Sequence, residues 1–225
     1  MSKPLKLVIF DCDGTIVDSQ HMIVAAMTQA YEWHGMVVPP RETVLSIVGL
    51  SLPEAFATLG KDHPGFPVAT MVERYKAAFH VMRDGEKHLE PLYPGAAEAI
   101  VSLARRDDVL LGIATGKSQR GVRAVLTMHG LLDHFTTIKT AEDAPSKPNP
   151  GMVLDAMREA GVAPEDTIVV GDTVYDIAMA RAAGATALGV TWGYHEASAL
   201  EQAGAYAVID RFESLCPMLD RIWTN

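Results

Sequence analysis

The stretch FDCDGTIVDS, Phe10 to Ser19, decides how the rest of the chain is read. It follows the apolar run Leu5-Lys6-Leu7-Val8-Ile9-Phe10, which has the length and composition of a buried strand. Three aspartates fall within the eight positions from Asp11 to Asp18, and Gly14 stands directly behind Asp13. Two carboxylates about 5 Å apart repel by roughly 3 kcal/mol at an effective dielectric near 20. Asp11 and Asp13 are two positions apart, so on an extended segment both side chains point to one face. A repelling pair at the end of a strand needs a compensating partner, and that partner points to function. Cys12 points to the opposite face and reads as a small core residue.

Outward from this stretch, further short apolar runs read as parallel strands: Val109 to Thr115, Thr137 to Thr140, Thr167 to Gly171, Thr186 to Val190 and Ala207 to Asp210. Amphipathic helical patterns lie between them, at Pro94 to Arg106, Ser118 to Gly130, Pro150 to Ala160 and Val174 to Ala183. This alternation predicts an α/β fold, a doubly wound parallel sheet with a Rossmann-like core. The span between the first two runs breaks the rhythm. It contains helical pieces at His21 to Trp33, Arg41 to Val48, Pro53 to Leu59 and Val68 to Arg83, punctuated by Gly35, Pro39-Pro40, Gly49 and Gly85. A loop of that length is not credible inside a compact domain. It predicts an inserted all-helical cap domain, residues 20–89, on an α/β core built from residues 1–19 and 90–225. An insert at the catalytic edge suits a lid, with Gly14-Thr15 and Leu92-Tyr93-Pro94-Gly95 as hinges.

Composition narrows the classes of partner. The 225 residues suffice for a core plus a smaller domain, and 48% hydrophobic with 21% charged residues fits a soluble globular protein. The net charge of −9 argues against a nucleic-acid partner and against an acidic membrane surface. Cys12 and Cys216 form no CxxC pattern, which fits a reducing compartment. Met1-Ser2-Lys3-Pro4 leads into an apolar run too short for a signal peptide, and no stretch approaches the roughly 20 apolar residues of a membrane span. A cytoplasmic protein is expected.

Ligands of open α/β sheets bind beyond the carboxyl ends of the strands. Four polar signals stand at such ends: Asp11 to Thr15, Thr115-Gly116-Lys117, Lys147-Pro148-Asn149-Pro150, and Gly171-Asp172-Thr173 with Asp176. Brought to one crevice, they assemble carboxylates, a hydroxyl and a lysine. A hard divalent cation such as Mg²⁺ prefers oxygen ligands and relieves carboxylate repulsion. Asp18 and Ser19 read as helix caps, and Lys117 as exposed. The histidines show no paired metal spacing; His21, His34, His63, His80 and His88, in the expected cap, read as surface residues.

DCDGTIVDS, ATGK, KPNP and GDTVYD resemble, in order, the four motifs of the haloacid dehalogenase-like hydrolases. Within them the chain is similar to the helical-cap branch and to phosphoglycolate phosphatase-type enzymes. The resemblance implies a Mg²⁺-dependent phosphatase acting on a small phosphorylated metabolite; a monomer or homodimer is expected. It implies Asp11 as nucleophile, forming an aspartyl-phosphate, and Asp13 as acid and then base. Mg²⁺ would be bound by the Asp11 carboxylate, the Asp13 backbone carbonyl and Asp172. Thr115 and the Gly116 N–H would hold phosphoryl oxygens, Lys147 would balance their charge, and Asp176 would orient Lys147 or a metal-bound water.

Three other classes are weighed against it. A signalling receiver also builds an aspartyl-phosphate, but it has no place for the large insert or for Asp13. A dehalogenase of this superfamily carries Tyr where Asp13 stands. A sugar-phosphate mutase needs a cation in the cap for a second phosphate, and Val48-Gly49-Leu50-Ser51-Leu52-Pro53 carries none, although Arg41, Lys61 or Arg74 remain candidates.

Overall fold

Strand β1, Lys6–Phe10, lies at the centre of a six-stranded, all-parallel sheet. The computed structural model describes residues 4–85 and 90–224. Met1, Ser2 and Lys3 lie outside the described residues, as do His88 and Leu89, where the insert is expected to end. The other strands are β2 (Val109–Thr115), β3 (Thr137–Thr140), β4 (Thr167–Gly171), β5 (Thr186–Val190) and β6 (Ala207–Ile209). Their order is β3-β2-β1-β4-β5-β6, so the winding reverses between β1 and β4. Phe10 stands beside Ile113 of β2 and Val170 of β4, which brings Asp11 and Asp172 to the two lips of that reversal.

Alternation along β1 builds two cores. Val8 and Phe10, with Cys12 beyond them, face one apolar cluster, where Cys12 is the small core residue expected; Leu7 and Ile9 face the other. The first is closed by α5 (Ala96–Ala104), α6 (Gln119–Met128) and α10 (Leu215–Thr224). The second is closed by α7 (Gly151–Ala160), α8 (Val174–Ala182) and α9 (Ala197–Ala203). Helices α9 and α10 have no counterpart in the sequence reading, and the expected helix at Arg41 to Val48 stops at Leu45.

Between β1 and α5 the chain forms α1 (Gln20–Trp33), α2 (Arg41–Leu45), α3 (Leu52–Leu59) and α4 (Val68–Gly85). These helices enclose a third apolar cluster of their own, in which Met27, Phe56 and Met71 are fully buried. The outgoing and returning segments run side by side. The Asp18 N–H donates to the Pro91 carbonyl at 2.8 Å, the Tyr93 N–H donates to the Ile16 carbonyl at 3.0 Å, and Val17 bridges Leu92. Among the described residues, no helix is long and apolar enough to cross a membrane.

Candidate active site

The site is assembled from four strand ends. Asp11 is fixed by its own N–H, which donates to the Val170 carbonyl of β4 at 2.9 Å. Gly14 follows with φ of 88°, where a side chain is strained and a Cβ would collide with the Asp172 carboxylate. Glycine there lets the loop after β1 lie against the end of β4.

Lys147 is completely buried and lies between two carboxylates. Its ammonium donates to Asp11 Oδ1 at 2.7 Å and to Asp176 Oδ1 at 2.6 Å. Burial alone would lower the lysine pKa, but Asp11 and Asp176 outweigh it and hold the pKa above its usual value. Asp176 is itself locked by the start of α8: its Oδ2 accepts from the Thr173 N–H at 3.0 Å and the Thr173 hydroxyl at 2.6 Å, within a reciprocal capping box. Asp172 accepts from the Thr15 hydroxyl at 2.8 Å and from the Tyr194 N–H at 2.9 Å, one donor on each oxygen.

Carboxylate oxygens of Asp11, Asp172 and Asp176 lie within 4.8 Å of one another, all buried. One ammonium does not neutralise three carboxylates. Burial pushes Asp11 up to about 7 despite Lys147, and burial with Asp176 and Asp11 raises Asp172 well above the carboxylate range. Asp11 Oδ2 is buried with no hydrogen-bond partner. An unbonded carboxylate oxygen in an acidic, all-oxygen cluster suits a hard divalent cation or an electrophile.

Asp11, Asp13, Thr115 and Gly116 all line one cavity of ≈ 500 Å³ between the sheet edge and the helices α1–α4. Its far wall is largely apolar and includes Met27, Val48, Leu52, Tyr75 and Phe79. The buried Thr115 hydroxyl accepts from the Lys117 N–H at 3.2 Å. A Cβ on Gly116 would stand 2.6 Å from the Leu50 carbonyl oxygen and 2.8 Å from that of Gly49. The structure therefore brings together Asp11, Asp13, Thr115, Gly116, Lys147, Asp172 and Asp176.

Two expectations are corrected here. Lys117 is not exposed. Its side chain is 8% accessible, with the ammonium 2.7 Å from Asp13 Oδ1 and 3.0 Å from Glu90 Oε1. Two carboxylates compensate the buried charge. Ser19 does occupy the N-cap position of α1, but its side chain makes no capping bond. Its hydroxyl instead donates to Asp13 Oδ1 at 2.6 Å. Asp18 does not supply the cap either; its Oδ1 is buried without a hydrogen bond. Glu90 and Tyr194 take part without having been singled out, and Thr15, read from the sequence as a hinge residue, bonds Asp172. Thr15 lies inside the first motif and was legible there; the other two carry no local pattern.

The family model described as haloacid dehalogenase-like hydrolase matches residues 8–190. A protein of Dickeya dadantii named "Probable phosphatase IndB" is 34% identical over 93% of this chain and 91% of its own length. "Phosphoglycolate phosphatase 1" of Pseudomonas aeruginosa is 29% identical over 96% of this chain and 80% of its own. A solved hydrolase from Pseudomonas syringae superposes with a TM-score of 0.82 at 25% identity, covering 96% of this chain and 99% of that one.

Proposed function

The chain belongs to the haloacid dehalogenase-like hydrolases, and from that membership we propose that it is a Mg²⁺-dependent phosphatase that hydrolyses a small, phosphoglycolate-like phosphomonoester through an aspartyl-phosphate on Asp11. One observation carries this most directly. Asp11 Oδ2 is a buried oxygen without a hydrogen bond, in a residue that lines a cavity shared with Asp13. In this reading the core is residues 1–19 and 90–225, residues 20–89 are a cap, and the enzyme is cytoplasmic and acts as a monomer or homodimer.

Asp11 Oδ2 attacks phosphorus while the bond to the ester oxygen breaks, and Asp13 gives that oxygen its proton. Asp13 then takes a proton from the water that attacks the aspartyl-phosphate, which frees phosphate and restores Asp11. The Thr115 hydroxyl and the Gly116 N–H hold phosphoryl oxygens throughout. Lys147 balances charge shared between Asp11 and the phosphoryl group, and Asp176 keeps Lys147 in place. The Asp11 carboxylate, the Asp13 backbone carbonyl and Asp172 would hold Mg²⁺, which when bound neutralises charge on the transferring group.

A sugar-phosphate mutase of the same superfamily is the alternative. It needs an uncommitted cation facing the cavity from the helical insert. Arg41 is bonded to Gln20, Arg74 lies 3.7 Å over the Trp33 ring, and neither lines the cavity, nor does Lys61. Arg83 does line it but is paired with Glu90 at 2.9 Å. Lys76 of α4 lines the cavity as well, so the insert does offer a cation, and product analysis decides between water and a sugar phosphate as the acceptor. A receiver-like switch would retain its phosphoryl group, whereas Asp13 beside Asp11 favours turnover. The test is phosphate release from a panel of small phosphomonoesters with Mg²⁺, with EDTA, and with Mg²⁺ restored. Release that stops in EDTA and returns with Mg²⁺ is the expected result; full activity in EDTA overturns the metal assignment. Isomerised sugar phosphate forming faster than free phosphate indicates the mutase.

A further inference from the structure

Glu90 is 3% accessible and stands where the chain returns from α4 to the core. A carboxylate this deeply buried is costly unless it is paired. Here it is paired twice. Nε and Nη2 of Arg83, near the end of α4, both lie 2.9 Å from Oε2, and Lys117 Nζ makes an ion-pair contact 3.0 Å from Oε1, an oxygen that accepts no hydrogen bond. The Glu90 backbone is held as well, since the His129 ring donates from Nε2 to its carbonyl at 2.8 Å. The Phe79 ring packs against both cations, 5.1 Å from Lys117 Nζ and 5.0 Å from the Arg83 guanidinium carbon. Positive and negative groups therefore alternate from α4 to the site, in the order Arg83, Glu90, Lys117, Asp13.

At the end of this row, two donors meet one oxygen. Ser19 Oγ at 2.6 Å and Lys117 Nζ at 2.7 Å both donate to Asp13 Oδ1. An oxygen that already accepts two hydrogen bonds is the acceptor side of a carboxyl group, so a proton on this group resides on the other oxygen, Oδ2. A lysine side chain has four rotatable carbons and finds one geometry only when its ammonium is pinned. We propose that Glu90 is a positioning residue: braced by Arg83, it pins Lys117 so that Lys117 and Ser19 together lock Oδ1 of Asp13 and leave Oδ2 to hand its proton to the departing oxygen. The proton moves from Asp13 Oδ2 to the ester oxygen as the phosphorus–oxygen bond breaks and the Asp11–phosphorus bond forms. Asp13 is left as a carboxylate facing Lys117. This rests on the phosphatase reading above.

The test compares phenyl phosphate with p-nitrophenyl phosphate, esters of nearly one shape whose departing oxygens differ in how much they need a proton. Glu90→Gln should lower kcat/KM for phenyl phosphate by about tenfold or more, as expected when an acid is slightly misplaced. For p-nitrophenyl phosphate the loss should stay within about threefold, because that oxygen leaves with little protonation. Glu90→Asp, which keeps the charge, should recover part of the lost selectivity. Should Glu90→Gln fail to fold, Lys117→Gln carries the same expectation, since it removes the pinned group itself. Equal losses on the two esters in a folded variant overturn the positioning role while leaving the phosphatase reading standing. Wild-type protein that releases phosphate neither from these esters nor from any phosphomonoester of the panel overturns both.

Discussion

At the scale of single residues, Asp11 has the environment that a nucleophile requires. Lys147 restrains one of its oxygens and nothing engages the other. Replacing the acid with an amide keeps the shape and removes the proposed nucleophile. Asp11→Asn is expected to lower turnover by roughly 10⁴-fold or more, the scale of losing a nucleophile from a unit that works together. The fold should survive, because Lys147 keeps Asp176 as its counter-charge. Phosphate release measured beside circular dichroism of the purified variant checks this; a folded Asp11→Asn protein with near wild-type turnover removes Asp11 from the role. The acidic residues were legible in the sequence because chemistry restricts their spacing: two positions along a strand, or four along a first helical turn. Glu90 and Tyr194 were not legible. Their contributions are a contact across the chain and a backbone N–H donated to Asp172, and neither leaves a local pattern.

At the scale of elements, the strands were the most legible part, since a buried parallel strand is a short run of apolar residues whatever surrounds it. Helices α9 and α10 were missed; α9 is short, and α10 contains Pro217, which reads as a breaker although it sits in the first turn of the helix. The contact between the loop after β2 and the loop before α3 was not legible either. There Gly116 lies so close to the Gly49 and Leu50 carbonyls that any side chain must move backbone. Gly116→Ala is therefore expected to push the 47–53 segment off the site. The predicted signature is a fall in kcat/KM of about 100-fold, the cost of misplacing a positioning group by an ångström. Faster hydrogen exchange across that segment should accompany it. An alanine variant with unchanged exchange and activity contradicts this coupling of the two loops.

At the scale of the whole molecule, the buried acidic cluster makes stability depend on pH and on metal. Asp11 is pushed up to about 7 by burial and Asp172 is raised in the same direction, whereas in the unfolded chain both return to the ordinary carboxylate range. The folded protein thus binds more protons than the unfolded one between about pH 4 and 7, and its stability without metal should fall as pH rises through that window. Mg²⁺ should raise the melting temperature more at pH 8 than at pH 5, where protons compete for the same oxygens. Calorimetry in EDTA and in Mg²⁺ across this range measures both effects; stability that climbs from pH 4 to 7 without metal, with no Mg²⁺ effect at pH 8, contradicts the assignment of the cluster. The paired crossing of the chain at Val17 and Leu92 has a consequence of another kind. Everything from Ser19 to Pro91 enters and leaves through one doorway, whose two posts are hydrogen-bonded to each other. A segment anchored in that way can be traded for one of different length or shape while the sheet keeps its register.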